Sequence, residues 1–389
     1  MNAAVDVKGW CPGALRPMPS GDGLLVRIRP FCGALNLDQA AGVADLAARL
    51  GNGHIDLTRR ANLQIRGLTD RRLPELLERL GTLGLLGRDA GTEARRNLMV
   101  SPLAGLDPTE CFDVRPIAAA LDRALEADDG LQVLPAKFGF VIDGGGSLSI
   151  AGERADISLA ATGNAFALGL DTPTGTAWLG SVALDQAVPV AIAAARAFVA
   201  VADHGRMRDH VDKVQLSLPP VEVHPRPGGR QLGLLDCAVG VTAPFGRLEA
   251  GQLARLVALA SRAKATELRL SPWRSVYIGG RDRALLEGAR ALGLIIDDDD
   301  PLLRIDACPG APDCAAGSVG TRGDARRLAA LAAETGYRGS IHVSGCAKGC
   351  ARSLPADLTL VGEAGRYRVG QRLVSAAELA VLFETKADG

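Results

Sequence analysis

Four of the eight cysteines fall within one segment of the sequence. Cys308 and Cys314 are separated by five residues, and Cys346 and Cys350 are separated by three. Thiolates are soft ligands, and four of them complete either an iron-sulfur cluster or a zinc site. Zinc sites usually have about two to four residues within each cysteine pair, so this spacing favours a 4Fe-4S cluster. Zinc and unrelated buried thiols are the alternatives.

Glycine and proline residues lie next to both cysteine pairs, Gly310 and Gly345 among them. They let the backbone turn tightly, so that several amide groups can point at the ligand sulfurs. The sequence between the pairs predicts a helix over residues 321–336 and a strand over residues 340–344. These two elements would return the second pair towards the first.

The elements that position the cysteines belong to a chain that repeats itself. Residues 33–67 and 246–280 show the same order of features at a constant offset of 213. Ile55, for example, corresponds to Leu268, and a glycine ends each copy. The active site of a duplicated chain is expected at the interface where residues of both copies converge.

Each copy is predicted to run strand, helix, strand, strand, helix, which is half of a ferredoxin-like unit. In the first copy the strands are predicted over residues 24–28, 54–57 and 63–66, with Asp38 as the N-cap of the first helix and the second helix beginning near residue 71. In the second copy the strands are predicted over residues 231–236, 267–270 and 276–279, and the helices over residues 249–262 and 282–292.

A short segment after each repeat is also similar between the two halves, residues 155–159 (ADISL) to residues 356–360 (ADLTL). The predicted fold class is therefore α+β, with two ferredoxin-like half-repeats that are each followed by an α/β domain. The predicted boundaries are residues 12–88, 92–218, 228–294 and 300–389, and the last domain carries the cluster. The acidic run at residues 297–300 is expected to be a solvated turn before a strand over residues 302–305.

The composition excludes some classes of partner. Lys plus Arg and Asp plus Glu number 44 each, so the net charge predicts neither nucleic acid nor an acidic membrane surface as partner. The most apolar helix-like run, residues 188–202, is interrupted by Arg196 and is too short to span a bilayer. A cytoplasmic protein is expected.

Three further segments carry a family resemblance: residues 58–67 (TRRANLQIRG), residues 96–108 (RNLMVSPLAGLDP) and residues 134–138 (LPAKF). Together with the cysteine pattern they resemble the sulfite and nitrite reductase superfamily over nearly the whole chain. The resemblance implies an internally duplicated sulfite/nitrite reductase-like fold, with the 4Fe-4S cluster held by Cys308, Cys314, Cys346 and Cys350.

Sirohaem-dependent members of the superfamily bind a small oxyanion with basic side chains. The catalytic residues that the resemblance implies are Arg59, Arg66, Arg96 and Lys137. The sequence departs from those members at Ala136, Gly139 and Lys348. A sirohaem-dependent ferredoxin nitrite or sulfite reductase is therefore the second hypothesis, and a non-enzymatic electron carrier or zinc-stabilised binding protein is the third.

Within the superfamily, residues 11–14, 17–27, 308–312 and 343–351 most resemble the precorrin-3B synthase family of aerobic cobalamin biosynthesis. This implies a monooxygenase that converts precorrin-3A, with dioxygen and a reductant, to a hydroxy-lactone. The 4Fe-4S cluster would deliver electrons, and a mononuclear non-haem iron would activate dioxygen. The reductant is expected to be NADH acting through an electron donor, or a ferredoxin-like protein.

A tetrapyrrole with many carboxylate arms needs several arginines, whose planar guanidinium groups match carboxylates. The predicted substrate-binding residues are Arg27, Arg29, Arg60, Arg95, Arg274 and Lys348. For each arginine taken alone, a solvated surface position is the alternative. The candidate ligands for the mononuclear iron are the five histidines, which are His54, His204, His210, His224 and His342. Their spacing does not match the two-histidine, one-carboxylate pattern of a facial triad. His342 is the nearest candidate ligand for the second iron, although a packed strand histidine is the preferred interpretation.

Overall fold

The structure, a computed structural model, describes residues 12–221, 225–352 and 354–384. Within these ranges the chain forms four five-stranded sheets. The four sheets are of two types, and each half of the chain contributes most strands of one sheet of each type. This arrangement confirms the internally duplicated α+β fold.

The strands and helices are numbered separately along the described part of the chain. The strands are β1 (Met18–Ser20), β2 (Gly23–Ile28), β3 (Ala34–Asn36), β4 (His54–Leu57), β5 (Leu63–Leu68), β6 (Leu98–Val100), β7 (Phe140–Asp143), β8 (Ile157–Thr162), β9 (Ala165–Thr172), β10 (Gly175–Ala183), β11 (Gly233–Leu234), β12 (Ala238–Thr242), β13 (Arg247–Glu249), β14 (Glu267–Leu270), β15 (Ser275–Gly279), β16 (Ile305–Ala307), β17 (Ile341–Ser344), β18 (Leu358–Glu363), β19 (Arg366–Val369) and β20 (Arg372–Val374). The helices are α1 (Leu37–Arg49), α2 (Leu73–Thr82), α3 (Ala90–Arg95), α4 (Arg115–Ala127), α5 (Ala187–Val201), α6 (Met207–His210), α7 (Ala250–Arg262), α8 (Arg283–Ala291), α9 (Thr321–Glu334) and α10 (Val381–Glu384).

Two of the sheets exchange strands between the repeats. One has the order β1-β2-β5-β4-β13 and the other the order β11-β12-β15-β14-β3. Strand β13 of the second repeat pairs with β4 of the first, and β3 of the first repeat pairs with β14 of the second. Helix α1 packs against α7, and apolar side chains of both repeats form one continuous core. The two half-repeats therefore interlock as one unit.

The other two sheets share a second pattern. In one, β6, β7 and β8 are parallel and continue into the antiparallel β9 and β10. In the other, β16, β17 and β18 are parallel and continue into the antiparallel β19 and β20. Helices α4 and α5 cover the first of these sheets, and α9 covers the second. Loops that follow neighbouring parallel strands lie at the same sheet edge, where α/β sheets usually bind ligands.

The first helix begins two residues earlier than predicted, because its N-cap is Asn36 and not Asp38. The Asn36 side chain accepts a 2.8 Å hydrogen bond from the Gln39 amide, and the Gln39 side chain accepts one of 3.0 Å from the Asn36 amide. This reciprocal capping box satisfies two backbone donors at once. Asp38 lies in the first helical turn, where its charge favours the positive end of the helix dipole.

Two predicted strands are also corrected. Residues 231–236 form only the short β11, whereas the neighbouring β12 pairs with β15 along its whole length. Residues 302–305 lie mostly in a 3-10 turn, Pro301–Arg304, and the strand begins at Ile305. Asp300 caps this turn by accepting a 2.9 Å hydrogen bond from the Leu302 amide. Local capping therefore determines the structure that follows the acidic run.

Helix α5 is strongly apolar, and the segment Leu184–Val201 is long and apolar enough to span a membrane. Its inward face, which includes Ala187, Ala191, Ala194 and Phe198, is buried in the core beneath its sheet. These residues recur every three or four positions, as expected of a helix with one side against a core. The core helix of a soluble protein meets the same length and hydropathy criteria, so this segment is weak support for a membrane span.

Candidate functional site

The four predicted ligand cysteines follow two neighbouring strands. Cys308 comes directly after β16, and Cys346 and Cys350 come after β17. Because β16 and β17 are parallel, the two loops leave the same edge of the sheet. The amide of Gly345 donates a 3.1 Å hydrogen bond to Cys308 Sγ and so joins the loops. The structure thus brings the two cysteine pairs together.

Glycines allow these loops to approach closely. A Cβ atom on Gly345 would lie 3.0 Å from the Cα of Gly310. Gly310 itself has a φ of +67°, a left-handed conformation that favours glycine. The hydroxyl of Thr321 donates to the carbonyl of Cys308 and ties the start of α9 to the first loop. Larger residues at either glycine would push the cysteine loops apart.

The Cys350 thiol lies within electrostatic reach of the other three cysteines. Cys308 is buried, Cys314 and Cys346 are half-buried, and Cys350 is exposed. Burial, and next the other three thiols, raise the pKa of Cys350, whereas Lys348 lowers it. No three His, Cys, Asp or Glu side chains of the described residues lie close enough to hold one metal ion. Four thiols on two adjoining loops supply the number and type of ligands that a 4Fe-4S cluster needs.

A cavity of about 360 Å³ opens against both cysteine loops. Cys308 and Cys350 line it from one side, and Leu57, Thr58 and their neighbours on β4 and β5 line it from the other. Phe245 of the second repeat contributes to the same wall. The charged lining residues are Arg27, Arg59, Arg60, Arg66, Arg274, Arg322 and Asp56. Six cations and one carboxylate give this lining a net positive charge, which would favour an anionic ligand. We refer to it as the arginine cavity.

Asp56, on β4, anchors several of these cations. Arg247 donates hydrogen bonds of 2.7 and 3.2 Å to its carboxylate, and Arg66 and Arg322 lie 3.7 and 3.5 Å from it. Burial alone would raise the pKa of Asp56, but the Arg247 hydrogen bond and the charges of Arg322, Arg247 and Arg66 lower it below its ordinary value. Asp56 therefore stays ionised as the counter-charge of the cavity wall.

Arg66 and Arg247 each donate several hydrogen bonds to other residues of the chain. Arg66 donates two 2.8 Å hydrogen bonds to Asp22 and one of 2.7 Å to the Ser20 hydroxyl. Arg247 also donates a 2.7 Å hydrogen bond to Asp313, which lies between Cys308 and Cys314 in sequence. These two arginines hold the first cysteine loop against the repeats, so the structure places Arg66 as a positioning residue.

Arg59 and Arg274 are held more loosely. Each guanidinium lies 3.5 Å from the carbonyl oxygen of Ala351, the residue after Cys350. They lie 3.5 and 3.7 Å from Asp306, which has a closer partner in Arg352 at 2.9 Å. Burial, and next the repulsion from Arg59, lower the pKa of Arg274 despite Asp306. Neither arginine has a partner at ordinary hydrogen-bond distance among the described residues.

The same two arginines separate this cavity from a second one of about 270 Å³. Glu153 and Trp273 line the second cavity together with Asp306. Burial raises the pKa of Glu153, although Arg60 and Arg59 oppose the shift. The two cavities therefore adjoin each other at Arg59 and Arg274.

Some predicted binding residues lie elsewhere. Arg29 is only 5% exposed and is engaged by Glu93 at 3.0 Å and by the Pro12 carbonyl at 3.2 Å, so it is a structural ion pair. Arg95 and Arg96 line a different cavity, of about 150 Å³, between α3 and α4. The structure does not bring these three arginines to the cysteine loops.

The two predicted lysines are both exposed. Lys137 lies between α4 and β7, and its carbonyl oxygen accepts a 3.2 Å hydrogen bond from the Asn97 side chain. Its side chain does not line the arginine cavity. Lys348 lies within the second cysteine loop, and its charge acts on the Cys350 thiol. Lys348 is therefore close to the cysteines, whereas Lys137 is not among the residues that line the cavity.

Three residues of the site were not predicted from the sequence: Asp56, Arg247 and Arg322. Asp56 and Arg247 meet only because β4 and β13 pair between the repeats, in register with each other. Arg322 had a weak signal, since it is the second residue of a predicted helix that follows the first cysteine pair. Asp56 and Arg247 are 191 residues apart, and pairing over such a distance leaves no local pattern in the sequence.

The two repeats differ at positions that correspond to the lining of the arginine cavity. At the offset of 213, Tyr277 corresponds to Gln64 and Trp273 to Arg60. Tyr277 is fully buried and packs with Leu103 and other apolar side chains. Gln64 lies beside Arg27, and its side-chain oxygen accepts hydrogen bonds of 2.9 and 3.2 Å from the Arg27 guanidinium. Aromatic residues thus stand in the second half at positions where the first half has Gln64 and Arg60 of the cavity lining.

The described residues provide no ligand set for a mononuclear iron. His342 lies on β17 opposite Asp306 of β16, and burial lowers its pKa. Its Nε2 atom is buried without a hydrogen-bond partner. No third His, Cys, Asp or Glu joins them in the described ranges to form a metal site. His224 lies outside the described residues.

The sequence matches two known family domains. Residues 16–83 match the nitrite/sulfite reductase ferredoxin-like half domain, and residues 91–214 match the nitrite and sulphite reductase 4Fe-4S domain. The second match contains one cysteine, Cys111, so the four clustered cysteines lie in the other half of the chain.

Individual relatives cover most of the chain. A precorrin-3B synthase from Sinorhizobium sp is 35% identical over 92% of this chain and 82% of its own length. A ferredoxin–nitrite reductase from Synechococcus elongatus is 29% identical over 91% of this chain and 78% of its own length. The solved structure of the Mycobacterium tuberculosis NirA protein matches with a TM-score of 0.72 and 21% identity, covering 92% of this chain and 79% of that one. This last likeness concerns the fold alone.

Proposed function

The chain belongs to the precorrin-3B synthase family of the nitrite and sulfite reductase superfamily, and we propose that it converts precorrin-3A to precorrin-3B in aerobic cobalamin biosynthesis. Its similarity to the Sinorhizobium enzyme supports a role in that pathway. The proposal adds the reaction itself, which is a monooxygenation that forms a hydroxy-lactone.

The observation that carries the proposal is the arginine cavity against the cysteine loops. Its lining includes Cys308, Cys350 and the residue that follows each, so a ligand in the cavity would contact the loops directly. A tetrapyrrole with acetate and propionate arms presents many carboxylates, and guanidinium groups bind carboxylates with well-defined geometry. Arg27, Arg60 and Arg274 would bind such arms and orient the macrocycle.

The proposed reaction is a monooxygenation that uses one molecule of dioxygen and two electrons. One oxygen atom of dioxygen is added to precorrin-3A, and the other leaves as water after taking up two electrons and two protons from a reductant. A 4Fe-4S cluster on Cys308, Cys314, Cys346 and Cys350 would pass those electrons to the site. NADH acting through an electron donor, or a ferredoxin-like protein, would supply them in the cytoplasm. No step is assigned to a mononuclear iron, for which the described residues hold no ligand set.

A sirohaem-dependent nitrite or sulfite reductase is the alternative function, and similarity to ferredoxin–nitrite reductases over 91% of the chain supports it. Two observations oppose it. Ala136 and Gly139 replace basic residues that the resemblance to sulfite reductases would require. The adjacent Lys137 is exposed and lies outside the lining of the cavity.

The spectrum of protein purified without oxygen distinguishes the two functions. We expect broad absorption from an iron-sulfur cluster, without the intense bands of a tetrapyrrole. Iron and acid-labile sulfide should be present in amounts that match one 4Fe-4S cluster per chain. Sirohaem that copurifies in equal amount with the chain would overturn the proposed function, and a preparation that contains zinc and no iron after reconstitution would overturn both functions.

A further inference from the structure

We infer that Arg322 binds one carboxylate arm of the tetrapyrrole, in a subsite of the cavity that Cys308 also lines. The inference rests on the proposed function, because it takes the ligand to be a carboxylated macrocycle. It assigns a binding role to a residue outside every sequence motif of the chain.

Arg322 is placed to reach a ligand but has no adequate partner. Its side chain lines the cavity and is 17% exposed. Among the described residues, the one carboxylate within ion-pair distance of it is Asp56, at 3.5 Å, and the Asp56 oxygens already accept shorter hydrogen bonds from Arg247. The Nε and Nη1 atoms of Arg322 are buried and have no hydrogen-bond partner in the part of the chain that the structure describes. Buried donors in native structures are nearly always satisfied, so a missing partner needs an explanation.

The surroundings of Arg322 make its charge costly. Burial, and next the like charges of Arg247 and Arg66, lower the pKa of Arg322 to about 10, although Asp56 opposes the shift. A buried cation without full compensation destabilises the fold. A chain retains such a group most readily where a ligand supplies the missing anion.

A carboxylate is the chemical group that fits this subsite. It carries the opposite charge and accepts hydrogen bonds at both oxygens, so a small rotation of Arg322 towards the cavity would satisfy its donors. The carboxylate must also be attached to a larger body, because the remaining arginines of the cavity lie on β2, on β5 and in the turns β4–β5 and β14–β15, and one small anion cannot reach them all. The acetate and propionate arms of a tetrapyrrole meet both requirements.

The test compares three variants of the cluster-containing protein, with uroporphyrin as the probe. Arg322→Met removes the proposed subsite, Arg247→Met removes a structural partner of Asp56, and Arg327→Met removes an exposed arginine of the same helix. Binding is followed by quenching of porphyrin fluorescence, and folding by the thermal midpoint. We expect R322M to bind uroporphyrin about 10- to 100-fold more weakly than the wild type, as the loss of a charged hydrogen bond implies.

The thermal midpoints separate a binding role from a structural one. The free R322M protein should melt at or above the wild-type temperature, because a poorly compensated cation has been removed. R247M should melt lower, and R327M should match the wild type in both assays. Unchanged uroporphyrin affinity in R322M would overturn this inference and leave the proposed function intact, as would a loss of stability like that of R247M. Failure of the wild type to bind uroporphyrin would instead overturn the proposed function and, with it, the subsite.

Discussion

Asp56 is the residue whose replacement should disturb the fold of the site most. Its carboxylate is 12% exposed and is the shared partner of Arg66, Arg247 and Arg322. Asp56→Asn keeps the size of the side chain and removes the charge. Arg247 would then retain Asp313 as its only carboxylate, and Arg322 would have none within ion-pair distance among the described residues.

The expected cost follows from this arrangement. Removing one partner of a buried ion pair typically destabilises a protein by about 3–5 kcal/mol, because the other charge stays buried without compensation. A domain has only about 5–15 kcal/mol of net stability, so D56N should lose a large part of it. The folded-state pKa of Asp56 lies below the ordinary value of 3.8. Its stabilising contribution is therefore present above that pH and is lost as the pH falls through the folded-state pKa.

Urea denaturation at pH 7, followed by circular dichroism, measures this loss. The matched control is Asp45→Asn, which breaks an exposed ion pair with Arg49 on α1 and should change the free energy of unfolding by less than about 0.5 kcal/mol. D56N should also lose less stability than the wild type between pH 5 and pH 3, since it lacks the titrating group. A D56N protein within about 1 kcal/mol of the wild type would refute the view that Asp56 compensates the cavity arginines.

Three more predictions concern the cluster loops and Glu110, a half-buried acid. Cys350→Ala should abolish the cluster absorption while the circular dichroism of the fold persists, and a normal cluster spectrum would contradict the ligand assignment. Gly345→Ala should lower cluster content several-fold, because the added methyl would lie 3.0 Å from Gly310 Cα; unchanged iron content would contradict the packing argument. Burial raises the pKa of Glu110 to about 7, so ionisation costs stability as the pH rises above 4.5. Glu110→Gln should therefore stabilise the protein at pH 8 by about 1–3 kcal/mol but not at pH 5, and equal effects at both pH values would show that Glu110 is not perturbed.

The repeat made much of the fold predictable from the sequence. Two copies with the same alternation of apolar residues predicted β4, β5, β14 and β15, since the side chains of a strand alternate between core and surface. Capping details were less predictable, because Asn36 and Asp38 are both good N-cap residues and only the reciprocal bond to Gln39 distinguishes them. The exchange of β3 and β13 between the repeats has no sequence signal, since any edge strand offers the same backbone groups.

The candidate site was predictable where a motif is local. The spacing of Cys308, Cys314, Cys346 and Cys350 predicted that the cysteines would lie together, because thiolate ligands come from short loops. Whether a predicted arginine lines the cavity depends on which acidic partner it meets in the fold, and the sequence does not reveal that partner. Arg27 and Arg60 line the cavity, whereas Arg29 is engaged by a glutamate 64 residues away. The residue type indicates that a guanidinium can bind carboxylates. Only the fold determines which carboxylate lies next to it.

Turnover with precorrin-3A tests the central claim most directly. The cluster-containing protein is incubated with precorrin-3A, a reducing system and dioxygen made of the heavy oxygen isotope, and the product is analysed by mass spectrometry. The account predicts a product with one additional oxygen atom that carries the isotope. Unchanged precorrin-3A, under conditions in which the same preparation reduces nitrite or sulfite, would contradict it.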